Sequence, residues 1–528
     1  MTNSRDRGSD HEPTEAVTWA SSDEDGAARM GRQHVRGSVF LLLGRVLSLF
    51  FTVATQVVIV RALSKADYGV FAYAFTLVSS GRILLSLGQG RVLSRFMATY
   101  EEKRDYPRMF GSMALAVGTI FVTSTVLLCS LAFFAEPMLG ATFNDSRAVD
   151  VLLILMFVAP MEALDQVFVS LFAVFSRPRA IFLRKYVVTP LLRLSVVVVI
   201  AVFDGSLFLL ATGYVATSLF GIAIYVALLV RVLRERGILH HFRLRRVILP
   251  FKAVFGFSIP TLTNELVLLA TNMGSVILLG AYWGATQVAN FRAVLPAARL
   301  NQVVFQTFVT LFLPMAARLF NRGDHAGMRK AYWQSSVFLA VTTFPIFTMT
   351  AVFAPATTVT LFGDRYESSA TVLTALSCGY YASVALGFNA YVLQVYGRLR
   401  YLVMSNVTVA GVNLLLAFVL IPRYGAAGAA IANAATVVGQ NVANQFVLTR
   451  TLPAATRHRG QLRLYLVIGS VTVALVAVQL IVRPGFLAAL AAASLGSLVV
   501  LWLSRSSLEL SATFPELKRV PVIRHLIR

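Results

Sequence analysis

Fourteen long apolar stretches divide this chain, and they constrain its fold more than any other feature of the sequence. A helix needs about 20 apolar residues to cross the ~30 Å hydrocarbon core of a bilayer. Only 13% of the 528 residues are charged, against about a quarter in a soluble domain. The sequence therefore predicts an all-α integral membrane protein with fourteen transmembrane helices. They are predicted near 37–62, 66–90, 109–134, 149–175, 180–203, 206–230, 253–279, 286–313, 331–354, 369–396, 400–421, 425–449, 463–482 and 485–504.

Most of the 47 Lys and Arg residues lie in the tails or in every second gap between these stretches. One such gap contains Arg177, Arg179, Arg184 and Lys185. The alternate gaps contain only Arg61, Lys65, Arg147, Arg365, Arg423 and Arg483. Positively charged loops stay on the cytoplasmic side of a membrane. We therefore expect a multi-pass protein of the cytoplasmic (cell) membrane with both termini in the cytoplasm.

The net charge of +23 would suggest nucleic-acid binding in a soluble protein. Here the basic loops already serve to orient the chain and face anionic membrane lipids, and we predict no nucleic-acid partner. Cys129 and Cys378 both lie in apolar stretches, so neither a disulfide framework nor a thiolate metal cluster is expected. The sequence also lacks a phosphate-binding loop and the histidine spacing of a metal site. We predict no cofactor and no metal.

The predicted spans divide into twelve plus two. The predicted segments are a disordered cytoplasmic tail (1–34), an N-lobe (36–230), an amphipathic linker (231–252), a C-lobe (253–450), two further spans (463–504) and a second cytoplasmic tail (505–528). The linker alternates apolar and basic residues, as in a helix lying in the cytoplasmic interface. A weak internal repeat, in which 61–77 falls on a segment containing 285–295, favours two pseudo-symmetric six-helix lobes.

Three segments resemble a known family. They are LSKADYGVFAYAFTL (63–77), LGQGRVLSRFMA (87–98) and NLLLAFVLIPRYGAAGAAIANA (413–434). These segments resemble the Wzx-type polysaccharide-export flippases, whose superfamily also holds the multidrug and toxic-compound extruders and the lipid II flippase. The likeness extends over 36–504. It implies two six-helix lobes around a central cavity that opens to each side of the membrane in turn. In the flippase branches, spans one, two, seven and eight line that cavity, and cationic side chains there meet a lipid-linked diphosphate.

Five arginines lie well inside predicted spans, away from their ends, where a charge costs about 2.5–3.5 kcal/mol and normally faces a cavity or a partner. Four of them, Arg45, Arg82, Arg292 and Arg299, lie in spans one, two and eight. Because the planar guanidinium makes bidentate bonds to phosphate, we expect these four to bind the diphosphate of a polyprenyl-linked oligosaccharide. Alternatively, Arg45 and Arg82 extend to the cytoplasmic headgroups, and Arg299 forms a structural ion pair.

Three carboxylates within spans have two possible roles. Glu265 lies at a depth similar to that of Arg299 and is either its ion-pair partner or a coupling site for H⁺ or Na⁺. Glu162 and Asp165 lie one turn apart on span four, at a depth that matches Arg193 on span five. We interpret these three residues as a structural ion-pair cluster within the N-lobe, with cation coupling as the alternative.

The sequence thus predicts a flippase that moves lipid-linked oligosaccharide across the cytoplasmic membrane for the assembly of surface polysaccharide. The alternatives of the same fold are a lipid II-type flippase and a cation-coupled multidrug extruder. A membrane-embedded glycosyltransferase, ligase or polymerase would need a sizeable loop presenting catalytic residues, and this chain has none, so we do not predict an enzyme. A glycan polymerase or a glycosyltransferase is a possible partner.

Overall fold

The computed structural model describes residues 44, 47–143, 146–175, 181–203, 205–452 and 459–504, and every regular element in these ranges is helical. The N-terminal half contains α1 (Leu47–Ala62), α2 (Lys65–Ser86), α3 (Gln89–Glu102), α4 (Tyr106–Phe143), α5 (Ser146–Leu155), α6 (Val158–Val174), α7 (Thr189–Val202) and α8 (Leu207–Glu235). The C-terminal half contains α9 (Phe251–Arg299), α10 (Val303–Asn321), α11 (His325–Phe347), α12 (Ala354–Phe362), α13 (Ala370–Ala385), α14 (Asn389–Val395), α15 (Leu399–Thr451), α16 (Arg459–Val482) and α17 (Phe486–Ser504).

The predicted all-helical membrane fold is confirmed at the level of its helices. Within the described ranges, ten helices are long and apolar enough to cross a membrane, and eleven if the bent pair Asp364–Ala385 and Asn389–Val395 counts as one span. Helices α9 and α15, with 49 and 53 residues, leave helical conformation at Gly284 and Gly425. The total of fourteen spans stays a prediction.

Helix α15 folds back on itself. Its 53 residues would extend about 80 Å as one straight helix, far beyond one bilayer crossing. Gly425 instead takes φ +55° and ψ −131°, a conformation that favours glycine. Three residues later, a Cβ on Gly428 would lie 2.3 Å from the Leu420 carbonyl oxygen. Farther along, Asn413 Nδ2 donates to Thr436 Oγ1 at 3.0 Å, so the two parts run antiparallel.

The segment predicted as one amphipathic helix is not a single helix. Helix α8 continues to Glu235, and Gly237 at φ +68° then ends it. Two short 3₁₀ turns follow, Ile238–His241 and Leu244–Arg246, before α9 begins at Phe251. The prediction of a continuous helix over 231–252 was therefore wrong, because the positive φ of the glycine reverses the chain. The domain boundaries themselves stay predictions.

The last two helices pack on the C-terminal half. A buried cluster joins Phe344 on α11 and Tyr381 on α13 to Ile468 on α16 and Ala493 on α17. The hydroxyl of Tyr465 donates to the Ala385 carbonyl oxygen at 2.6 Å. The face of α17 in this cluster carries small side chains, which allow close helix approach.

The two halves meet along α2 and the part of α9 that follows its turn. A Cβ on Gly69 would lie 2.0 Å from the Ala285 carbonyl oxygen, so the glycine permits this approach. Gln56 on α1 adds a polar contact, since its Nε2 lies 3.4 Å from the Arg292 carbonyl oxygen and also donates to the hydroxyl of Tyr68. The core cluster of the N-terminal half therefore continues into α9.

Three basic residues join helix ends across this junction, and we call Arg61, Lys65 and Arg365 the interhelix latch. Arg61 donates to the Leu361 carbonyl oxygen at 2.9 Å and to the carbonyl before it, at the end of α12. In the opposite direction, Arg365 donates to the Arg61 carbonyl oxygen at 2.8 Å and to the carbonyl before it, at the end of α1. Lys65 donates to the Arg365 carbonyl oxygen at 2.8 Å. Each arginine thus satisfies helix carbonyls that have no partner within their own helix.

Candidate functional site

The N-terminal half encloses a cavity of about 320 Å³. Its lining comes from α1, α2, α6, the start of α7 with the segment before it, and α8. The charged side chains in its described lining are Arg82, Glu162, Asp165, Arg184, Lys185 and Arg193. Four of these carry positive charge and two carry negative charge, so the lining has an excess of two positive charges.

Local helix geometry places these groups. Glu162 and Asp165 are three residues apart on α6, which puts both carboxylates on one face. Arg184 and Lys185 belong to a π-helical segment, Phe182–Val188, that leads into α7. A π-helical turn is rare and often occurs at functional sites. Both of its basic side chains line the cavity.

Arg184 is the most buried of the charged groups, with 5% of its side chain exposed. Its Nη2 lies 2.7 Å from Asp165 Oδ1. Its Nε donates to the Gly221 carbonyl oxygen at 3.2 Å, and its Nη1 donates to Thr189 Oγ1. The guanidinium also lies over the Tyr225 ring, 4.8 Å from the centroid. A Cβ on Gly221 would lie 2.0 Å from Nη2, so the glycine makes room for the guanidinium.

Arg193 forms a second ion pair in the same cavity. Its Nη2 lies 3.2 Å from Glu162 Oε1. The guanidinium also faces two aromatic rings, 5.2 Å from the centroid of Tyr214 and 5.7 Å from that of Phe75. Such cation–π contacts strengthen where water is excluded. Each acid of α6 therefore pairs with a different arginine, one before α7 and one on it.

The sequence interpretation missed two cavity residues. It assigned Arg184 and Lys185 to a cytoplasmic gap, whereas the structure places both in the π-helical segment beside α6. Both residues also fall within the predicted span 180–203, but nothing in the sequence indicated that the Arg184 side chain contacts Asp165. Their position on the cytoplasmic side stays a prediction. The sequence did contain a signal for a second basic residue, because Glu162 and Asp165 were matched in depth with Arg193 alone. A second buried carboxylate needs its own cation.

The predicted phosphate-binding arginines occupy different surroundings. Arg82 is exposed and lines the cavity. Arg292 lies half-buried on α9, near Gln56, whose Nε2 is 3.4 Å from the Arg292 carbonyl oxygen. Arg299 is exposed at the end of α9. Arg45 lies outside the described residues.

The structure therefore brings Arg82 together with Glu162, Asp165 and Arg193. The described lining of this cavity includes neither Arg292 nor Arg299. Glu265 lies half-buried on the part of α9 before its turn. Its pairing with Arg299, and the binding roles of the four arginines, stay predictions. Among the described residues, no group of three His, Cys, Asp or Glu is arranged to hold a metal ion.

The fold is similar to those of several solved membrane transporter structures. The chain is similar to the lipid II flippase MurJ in an inward closed conformation, with a TM-score of 0.68 and 14% identity over 92% of this chain and 99% of that one. It is similar to an inward-facing multidrug resistance MATE family transporter of the MOP superfamily, with a TM-score of 0.62 and 11% identity over 78% and 96%. A MOP superfamily transporter from Pyrococcus furiosus, described as having a binding pocket of reverse polarity, gives 0.52 and 14% over 80% and 95%.

At these identities the likeness establishes the fold, a multi-helix membrane transporter architecture. A comparison with curated protein sequences gives no significant match. The sequence profile of the family described as "Polysaccharide biosynthesis protein" matches residues 58–371, which is more than half of the chain. Together with the MOP-superfamily fold, this match confirms the resemblance seen in the sequence: the chain belongs to the polysaccharide biosynthesis protein family.

Proposed function

We propose that this protein is a flippase that moves polyprenyl-(di)phosphate-linked oligosaccharide across the cytoplasmic membrane by alternating access. In this proposal the chain crosses the membrane fourteen times with both termini in the cytoplasm, and its two halves are the moving lobes. Family membership and the transporter fold support this class of function. A glycan polymerase or glycosyltransferase would be its natural partner.

The excess positive charge of the cavity carries the proposal. Two ion pairs, Arg184 with Asp165 and Arg193 with Glu162, neutralise both acids. With four basic and two acidic side chains, including Arg82 and Lys185, the described lining keeps an excess of two positive charges. In a cavity with low-dielectric walls this charge acts more strongly than it would in water, and it favours an anionic group such as a diphosphate.

The size of the cavity restricts which part of the substrate it holds. Its 320 Å³ lies at the lower end of the roughly 300–1,000 Å³ typical of ligand pockets. That volume suits the phosphate groups and the adjoining sugar, whereas a complete oligosaccharide needs an opened passage between the halves. We propose that Arg45, Arg292 and Arg299 contact the phosphate groups along that passage, and that Glu265 either pairs with Arg299 or binds a coupling H⁺ or Na⁺.

Transport by the purified protein in liposomes tests the proposal. Fluorescent lipid-linked oligosaccharide is placed in both leaflets, and the fraction shielded from an external quencher is followed after protein is incorporated. We expect the wild type to move the lipid, and Arg82→Ala and Lys185→Ala each to slow movement by about tenfold or more, since a charge-assisted hydrogen bond contributes about 1.5–3 kcal/mol.

The matched control is Arg108→Ala, which removes an exposed arginine outside the cavity lining. We expect it to transport at the wild-type rate. Equal rates for the wild type and an Arg82→Ala/Lys185→Ala double variant, with both proteins folded, would refute the role of the cavity charge. Movement of lipid II in the same assay at the rate of the oligosaccharide would favour the lipid II-type alternative.

A cation-coupled multidrug extruder is the second candidate, because Glu162 and Asp165 line the same cavity and one structural neighbour is a multidrug transporter. Both acids, however, contact arginines, and the sum of charges stays positive. We therefore expect a cationic dye to bind the purified protein more weakly than pyrophosphate does. Tighter binding of the dye, lost in Glu162→Gln, would favour the extruder.

A further inference from the structure

A second cavity lies outside the proposed transport site, between the start of α4 and the segment that connects the two halves. Its volume is about 240 Å³. Tyr106 and Phe110 of α4 form one wall. The polar lining residues on the connecting segment are His240, His241, Arg243 and Arg246. The described lining contains no acidic side chain, so nothing within it neutralises the two guanidinium groups.

The connecting segment is fixed against α4, which holds these basic groups in place. The backbone N–H of Ile248 donates to the Pro107 carbonyl oxygen at 3.2 Å. A Cβ on Gly111 would lie 1.8 Å from the Ile248 carbonyl oxygen, so the two backbones touch where glycine permits it. Phe242 packs edge-on against Phe110, with ring centroids 5.0 Å apart.

Backbone geometry directs the basic side chains to one side. The N–H of Arg246 donates to the Arg243 carbonyl oxygen at 2.9 Å, which is a 3₁₀ turn. Residues three apart eclipse one another in such a turn, so the two guanidinium groups leave the backbone on the same side. The ring of His241 lies against that of Tyr106, with centroids 4.3 Å apart, and its Nδ1 lies 3.3 Å from the Gly237 carbonyl oxygen.

We propose that this cavity binds a phosphate group. Two arginines on the same side of one turn can share the oxygens of one phosphate, since each guanidinium presents a planar set of donors. The aromatic wall of Tyr106 and Phe110 excludes water from one side, which strengthens these bonds. The cavity lies on the face that the basic residues predict to be cytoplasmic, where both anionic lipid headgroups and free phosphate are available. A bound phosphate joins the connecting segment to α4.

Binding to the delipidated full-length protein in neutral detergent tests this assignment. Native mass spectrometry would count bound ligand during titration with inorganic phosphate, with phosphatidylglycerol, and with diacylglycerol, which lacks the phosphate. We expect phosphate or phosphatidylglycerol to bind and diacylglycerol not to bind. Arg243→Ala/Arg246→Ala should weaken that binding by about tenfold or more.

Arg245→Ala provides the matched control, because Arg245 is exposed on the same turn but does not line the cavity. We expect it to bind within about twofold of the wild type, as a change in surface charge alone would allow. Saturation by inorganic phosphate identifies a free anion as ligand, and binding of phosphatidylglycerol alone identifies a lipid headgroup. Equal binding by the double variant and the Arg245→Ala variant would overturn the proposal, as would failure of both phosphate and phosphatidylglycerol to bind. The comparison of these variants does not depend on the proposed transport site, since the two cavities share no lining residue.

Discussion

At the scale of single residues, the pairing of Arg184 with Asp165 is the most demanding feature of the N-terminal half. Only 5% of the Arg184 side chain and 21% of the Asp165 side chain are exposed. Removing water from two charges is costly, and their attraction offsets that cost only while both are present. Loss of either partner leaves the other charge buried and uncompensated. The glycine at 221 belongs to the same arrangement, because it frees the space that the guanidinium fills.

We therefore expect Asp165→Ala to lower the free energy of unfolding by about 3–5 kcal/mol. The double variant Arg184→Met/Asp165→Leu should recover most of that loss, because it removes both charges and keeps apolar volume. Denaturant unfolding in detergent measures both. As a control, Arg108→Ala breaks an exposed pair with Asp105 and should change stability by less than about 1 kcal/mol. A double variant as unstable as Asp165→Ala would contradict this explanation.

The sequence interpretation paired charged residues by their estimated depth along the predicted spans. It put Glu162, Asp165 and Arg193 at one level, and the structure has Arg193 beside Glu162. The depth of a residue along a span does not specify the direction in which its side chain points around the helix axis. The π-helical segment Phe182–Val188 also has no apolar periodicity by which the sequence could reveal it. The partner of Asp165 is Arg184, which the charge pattern had counted with the basic residues of a gap between spans.

At the scale of elements, glycines decide where long helices turn. Gly425 splits α15, and its backbone conformation is one that an L side chain rarely adopts. We expect Gly425→Ala to lower the free energy of unfolding by about 1–3 kcal/mol through backbone strain. Gly439 lies in the same element with open space around it, so Gly439→Ala should be neutral or stabilise by up to about 1 kcal/mol. Equal losses from both substitutions, measured by thermal unfolding, would show that the turn is not the cause.

This turn was predictable, because the segment Ile421–Gly425 carries proline and glycine between two apolar stretches. The connecting segment was less so. Its apolar and basic residues alternate as they would in an amphipathic helix, but the same pattern is compatible with two 3₁₀ turns packed on α4. Periodicity alone does not separate these structures over so few residues.

At the scale of the whole molecule, the apolar stretches predicted an all-helical membrane protein, and three sequence segments resembled the superfamily. The contacts between the halves were not predictable, because they depend on backbone carbonyls that no sequence pattern marks. The interhelix latch illustrates this. Its three residues are among the few basic residues that the charge pattern places on the outer side of the membrane. They are exceptions to the rule that basic residues lie on the cytoplasmic side.

We expect the latch to hold the two halves together at this face. Spin labels at Ala66→Cys and Glu367→Cys, both exposed positions, would report the distance between the halves in a variant lacking Cys129 and Cys378. Arg61→Ala/Arg365→Ala should shift the distance distribution to longer values, because four helix-end carbonyls lose their donors. Arg147→Ala, which breaks a 3.4 Å pair with Asp67 within one half, should leave it unchanged. An unaltered distribution in the double variant would exclude this role.

The arginines of the latch donate to main-chain carbonyl oxygens. Substitutions on the donor side and on the acceptor side of these hydrogen bonds therefore have different effects. Exchanging the side chain at Val60, Thr360 or Leu361 removes no acceptor, whereas exchanging either guanidinium removes two bonds at once. The bonds of the latch are therefore lost by substitution of Arg61, Lys65 or Arg365, whereas the side chains at Val60, Thr360 and Leu361 can change without removing an acceptor.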